Sequence, residues 1–167
     1  MEQELDISDI TAKLESTVQM VWPTFCNEEL NAIGEVCSSG YAKTPVKAAC
    51  THILGGFAGS VSVEIETELL RDVAKYMMRL QDTCDDDLNS VIKELTNVIS
   101  GNMKVHLSPE HSILSTPKSF DRTGFSFDVP DSKTITTIAF KAEGRLVIVK
   151  LHRADWIDIP IQPETVN

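Results

Sequence analysis

No stretch of the 167-residue sequence approaches the roughly 20 apolar residues that a membrane-crossing helix needs. Positive charge is also scarce. Fifteen Lys and Arg stand against 25 Asp and Glu, for a net charge of −10. That balance leaves no basic face for nucleic acid and disfavours an anionic membrane surface. The opening Met1-Glu2-Gln3-Glu4-Leu5-Asp6 is acidic and has no apolar run, so no secretory signal is read there. A cytoplasmic location is the resulting expectation. The four cysteines, Cys26, Cys37, Cys50 and Cys84, form no C-x-x-C pair, and spacing suggests neither a zinc site nor a redox dithiol. Two disulfides are arithmetically possible, but free thiols are expected in a cytosolic chain.

Several catalytic signatures are missing too. There is no G-x-S-x-G. His106, Glu110 and His111 fit neither H-E-x-x-H nor H-x-x-E-H, and Pro109 interrupts the helix that would align them. His106, Glu110 and His111 are therefore not expected to bind a metal. Gly55-Gly56-x-x-Gly59 precedes a strand pattern rather than a helix, which makes it a hairpin turn and not a phosphate cradle. The run Asp85-Asp86-Asp87 reads as a solvated helix cap.

What is present is an ordinary globular composition, 42% hydrophobic and 24% charged. The length suits a single domain, residues 1–167, with a core that needs no staples. Ile7, Ile10, Leu14, Val18 and Val21 recur at helical spacing, with Asp6 or Ser8 as cap and Trp22-Pro23 as stop. Residues 23–45 read as an irregular connection with a short helix at 27–36. Residues 46–54 and the alternating Val61, Val63 and Ile65 form a hairpin. Thr67 is placed to cap a helix that presents Leu69, Leu70, Val73, Met77 and Leu80 on one face. Asp85 or Asp86 caps a third helix, which runs to about His106 and stops at Ser108-Pro109. Strands are expected at Ile113–Phe120, Phe125–Val129, Thr134–Lys141 and Arg145–Arg153, with a turn at Ala142-Glu143-Gly144. The tail from Trp156 reads as irregular. Helices and strands are grouped rather than alternating. This predicts an α+β fold: an antiparallel β-sheet with long helices packed on one face.

The third helix carries the chemistry. On a wheel of about 100° per residue with Leu95 at zero, Leu88, Val91, Ile92, Val98, Ile99 and Met103 fall within about 80° of it. Asn102 falls there too; it needs a hydrogen-bond partner and is expected to hold the loop after the helix. Glu94 (about −100°) and Asn97 (about −160°) are i, i+3 neighbours on the outer surface. Ser90 and Gly101 share that stripe, so two polar side chains project between two very small ones. A glycine inside a helix costs about 1 kcal/mol relative to alanine, which suggests bare backbone wanted for packing or docking.

The stretch Glu94-Leu95-Thr96-Asn97-Val98-Ile99-Ser100-Gly101-Asn102 resembles the signature of the CheX-like members of the CheC/CheX/FliY group of chemotaxis phosphatases. In that family a helix carries Glu-x-x-Asn, two apolar positions, a small residue and Gly-Asn. Met103 departs from the small residue usual at its position, and Thr96 replaces a common Ala. Glu28-Glu29-Leu30-Asn31 also satisfies Glu-x-x-Asn but lacks the following Gly-Asn. The chain therefore resembles the single-motif CheX branch rather than the two-motif CheC branch.

The resemblance implies a phosphatase acting on the aspartyl phosphate of a CheY-like response-regulator receiver domain. Asn97 would orient the attacking water. Glu94 would pair with the receiver's active-site lysine, and Ser90 and Gly101 would border the docking stripe. Mg²⁺ would belong to the receiver, with no cofactor held by this chain. A homodimer is implied as well. The rival reading is a non-catalytic module that holds a receiver or a flagellar-switch component on the same helix face.

Overall fold

The computed structural model describes residues 5–34, 36, 38–108 and 110–154. Among the described residues, three α-helices, α1 (Ile7–Val21), α2 (Thr67–Met78) and α3 (Asp85–Leu107), accompany seven strands. The strands are β1 (Asn31–Ile33), β2 (Pro45–Leu54), β3 (Gly59–Glu66), β4 (Ile113–Leu114), β5 (Lys118–Thr123), β6 (Ser132–Ala142) and β7 (Arg145–Ala154). All pairings are antiparallel, in the order β1-β6-β7-β3-β2, and β4 and β5 share the outer edge of β2. The α+β expectation holds.

Strand alternation decides which face meets the helices. Val61, Val63 and Ile65 of β3 join Ile53, Phe140, Val147, Val149 and Leu151 in one buried cluster. Onto it pack Ile10, Leu14 and Val18 of α1, Leu69, Leu70 and Val73 of α2, and Leu88, Ile92, Leu95 and Ile99 of α3. Each such side chain contributes roughly 1.5–3 kcal/mol on full burial. The opposite face is more polar. There Ser62 and His152 share a hydrogen bond of 2.9 Å, and the fully buried Glu64 accepts the Phe127 backbone N–H at 2.8 Å.

Several local expectations are corrected. The stretch 27–36 holds no helix among its described residues, since Asn31–Ile33 pairs with β6 as an edge strand. Residues 125–129 form a loop, not a strand: the Phe127 N–H is spent on the Glu64 carboxylate rather than on a ladder. The α2 cap is Glu66 with Thr67 as first helical residue; Met77 is exposed, and Leu80 is exposed beyond the helix end at Met78. Arg79 closes it in a left-handed conformation with φ 54°. Cys84, not Asp85 or Asp86, caps α3. Its backbone N–H reaches Asp87 Oδ2 at 2.9 Å, and that bond holds the Asp87 carboxyl below its usual range. Asp6 caps α1 as expected, accepting from the backbones of Ser8 and Asp9. Cys26, Cys50 and Cys84 are free thiols. Cys37, Pro109 and the tail from Trp156 lie outside the described residues.

Candidate functional site

The expected strand Ile113–Phe120 is broken in two, and the break builds the site. Ile53 faces Leu114, while Cys50 faces Lys118. Two residues of β2, Thr51 and His52, therefore oppose three, Ser115, Thr116 and Pro117. That is a one-residue bulge on an edge strand, where a proline without N–H is tolerated. Ser115 anchors it, with its N–H on the His52 carbonyl and its Oγ accepting the His52 N–H, both at 2.9 Å.

The bulge re-aims Thr116 and Pro117 towards α3. Together with Ser90, Lys93, Glu94 and Asn97 they line an open groove of about 310 Å³. Glu94 and Ser90 are exposed; Asn97 and Lys93 are half-buried in the groove wall. Three of the four residues singled out in the sequence thus meet in one concavity. Gly101 stands outside it, half-buried above β4. A Cβ there would meet only Leu114 Cδ1, at 3.9 Å, so packing within the chain does not require a glycine.

Three features hold α3 in place. Its inner face buries Leu88, Val91, Ile92, Leu95, Ile99 and Met103. Thr96 and Ser100 are also fully buried, and each returns its hydroxyl to the carbonyl four residues back, at 2.7 Å. Asn102 does the same less deeply, donating to Val98 O at 2.9 Å. It does not hold the following loop, as its wheel position had suggested. That task falls to Lys104, whose Nζ donates to Ser112 O at 3.2 Å.

The third feature is a buried cation. Lys47 of β2 is 1% exposed, and its Nζ lies 2.7 Å from Asp85, 2.9 Å from Asn89 and 2.7 Å from Asp121. Burial alone would lower its pKa. The hydrogen bonds it donates to Asp121 and Asp85 outweigh burial and hold the ammonium above its ordinary value. One side chain thus ties the first turns of α3 to β5, and so links the elements that carry the two walls of the groove.

Lys93, Thr116 and Pro117 escaped the sequence reading. Lys93 was within reach of it, since it sits about 40° from Asn97 on the same wheel. Thr116 and Pro117 left only one trace, a proline inside an apparent strand. The second Glu-x-x-Asn, Glu28 to Asn31, is not helical: Asn31 begins β1, and Glu28 lies 3.8 Å from Arg145. Among the described residues no three His, Cys, Asp or Glu side chains gather as metal ligands, and no helix is long and apolar enough to cross a membrane.

Comparison with known proteins agrees with this architecture. The chain is similar in fold to the chemotaxis protein CheX of Vibrio vulnificus, with a TM-score of 0.71 and 14% identity over 89% of this chain and 98% of that one. A CheX of Desulfovibrio desulfuricans gives 0.67 and 22%, covering 86% and 97%. A Borrelia burgdorferi CheX, solved as a CheX–CheY–BeF3–Mg²⁺ complex, gives 0.63 and 15%, covering 90% and 99%. Among curated proteins, none matches the sequence. The profile of the family described as "Chemotaxis phosphatase CheX" matches residues 48–141, which run from within β2 through nearly all of β6 and include the whole of α3. The chain belongs to the CheX family of chemotaxis phosphatases.

Proposed function

We propose that this chain hydrolyses the aspartyl phosphate of a CheY-like receiver domain docked on the α3 groove. One observation carries the reading: Asn97 and Glu94, the pair singled out by the motif, open into a single groove beside the small Ser90. The family assignment supports phosphatase chemistry, and the solved CheX–CheY complex supports a CheY-like partner.

An acyl phosphate is already activated. The added catalytic requirement is a water held in line with phosphorus. The Asn97 amide suits that role because it both donates and accepts and brings no charge against the phosphoryl oxygens. Its half-buried position restricts the side chain to the groove wall. Glu94, exposed on the same ridge, sets the docking register by pairing with the receiver's lysine. Ser90 leaves the ridge low enough for close approach, and Gly101 offers a second low point one turn beyond Asn97. Mg²⁺ is the receiver's. A homodimer belongs to the same reading, and light scattering on the purified chain tests it.

The deciding experiment follows phosphate release from CheY receivers phosphorylated with acetyl phosphate. Asn97→Ala is expected to lower turnover about 100-fold, the scale of a lost positioning interaction. Glu94→Ala is expected to weaken both docking and turnover. Wild-type rates in both variants would sink the mechanism. Co-elution without phosphate release would favour the non-catalytic module instead.

A further inference from the structure

We propose that Lys93 is the anion-contacting residue of the groove, engaging the phosphoryl oxygens of the docked aspartyl phosphate. This rests on the phosphatase reading and adds a specificity-determining contact to it. The first observation is placement. Lys93 lines the same groove as Ser90, Glu94 and Asn97, facing Thr116 and Pro117. It precedes Asn97 by four residues, so the two Cα atoms are separated by about 6 Å along the axis and about 40° around it. The Asn97 side chain leans back towards the preceding turn of the helix, so its amide and the flexible Lys93 stem border the same groove. Any group that receives a water held by Asn97 therefore lies within reach of Lys93.

The second observation is electrostatic. Lys13, Lys47, Lys150, Arg71 and Arg145 each hold a carboxylate within 4 Å. Lys93 holds none among the described residues; Lys75, Lys104, Lys118 and several others share that state, but Lys93 alone of the basic residues lines this groove. Its neighbour Glu94 is likewise unpaired among them, and residues i and i+1 on a helix do not face each other. The groove thus presents one free cation and one free anion at separate points. Such a pattern suits a partner surface that itself carries both signs close together. A phosphorylated carboxylate beside a lysine is one. The pairing fixes orientation, because a reversed dock would set like charges against each other.

Lys93 acts on docking rather than on the breaking P–O bond, since the phosphoryl charge it meets is already present in the ground state. The test measures kcat and KM for phosphate release from acetyl-phosphate-labelled CheY at ionic strengths from about 0.05 M to about 0.5 M, across which charge pairs are progressively screened. Lys93→Gln is expected to raise KM about tenfold, leave kcat within about twofold, and flatten the dependence of KM on salt. Lys93→Arg restores all three. A Lys93→Gln chain with the wild-type KM and salt slope overturns the assignment. So does a variant whose only defect is a lower unfolding midpoint. Asn97→Ala, run in parallel, separates the two claims. If that variant is inactive while Lys93→Gln is normal, only the role of Lys93 fails. If Asn97→Ala turns over at the wild-type rate, the phosphatase reading fails and this inference falls with it.

Discussion

Lys47 and Asp121 stand directly opposite each other on β2 and β5, and their ion pair of 2.7 Å joins an almost fully buried ammonium to a largely exposed carboxylate. Asp85 at the head of α3 completes the grip from the other side. The asymmetry in burial sets the outcome of mutation. Lys47→Met removes the buried charge and keeps the volume, leaving two carboxylates free to hydrate. Its cost should stay below about 2 kcal/mol. The double variant Asp85→Asn, Asp121→Asn strands the ammonium instead and should lower the urea midpoint further than Lys47→Met does. The reverse ranking would remove the tie from the account of how the groove is held.

His152 gives the protein an acid-sensitive stability. Burial, with a smaller contribution from Lys150, lowers its pKa from 6.5 to about 4. As pH falls, the unfolded chain takes up the proton first. Stability is therefore intact above about pH 6.5 and declines as pH drops towards 4, by about 3 kcal/mol across that window. Urea titrations at several pH values should give a steeper decline for the wild type than for His152→Gln. Parallel slopes would show that the imidazole does not carry the effect.

Gly101 separates stability from docking. A methyl group there meets only Leu114, at an ordinary contact distance. Gly101→Ala should therefore raise stability by about 0.5–1 kcal/mol through helix propensity. If the stripe docks a receiver, KM for the phosphorylated substrate should rise in the same variant. A more stable chain with unchanged kinetics would place Gly101 outside the interface.

The turn between β6 and β7 offers a stabilising change. Glu143 and Gly144 both have positive φ, 48° and 75°, the signature of a two-residue turn that favours Asn-Gly. The ion pair from Glu143 to Arg145 is long, at 3.5 Å, and largely exposed on the Glu143 side, so its loss costs little. Glu143→Asn should raise the thermal midpoint by a few degrees, corresponding to up to about 1 kcal/mol. A lower midpoint would show that the ion pair outweighs the backbone strain.

The regular elements were legible because burial imposes periodicity. Val61, Val63 and Ile65 had to point one way, and Leu88, Val91, Ile92, Leu95 and Ile99 had to form one stripe. Boundaries were less legible where a single competing bond decides them. Nothing near Phe127 in sequence announces Glu64 as its partner, and nothing near Cys84 favours it as a cap over the acidic residues that follow.

By itself, the sequence determined most of α3: its approximate span, the apolar part of its buried stripe, and the placement of Glu94 and Asn97 away from that stripe, all set by a 3.6-residue period acting within one helix. The groove was decided only in the tertiary structure. Its second wall comes from Thr116 and Pro117, about 20 residues further along. They reach α3 only because β2 pairs with β4 and β5 in registers that differ by one residue. Strand register is a property of two segments at once, so neither segment encodes it alone.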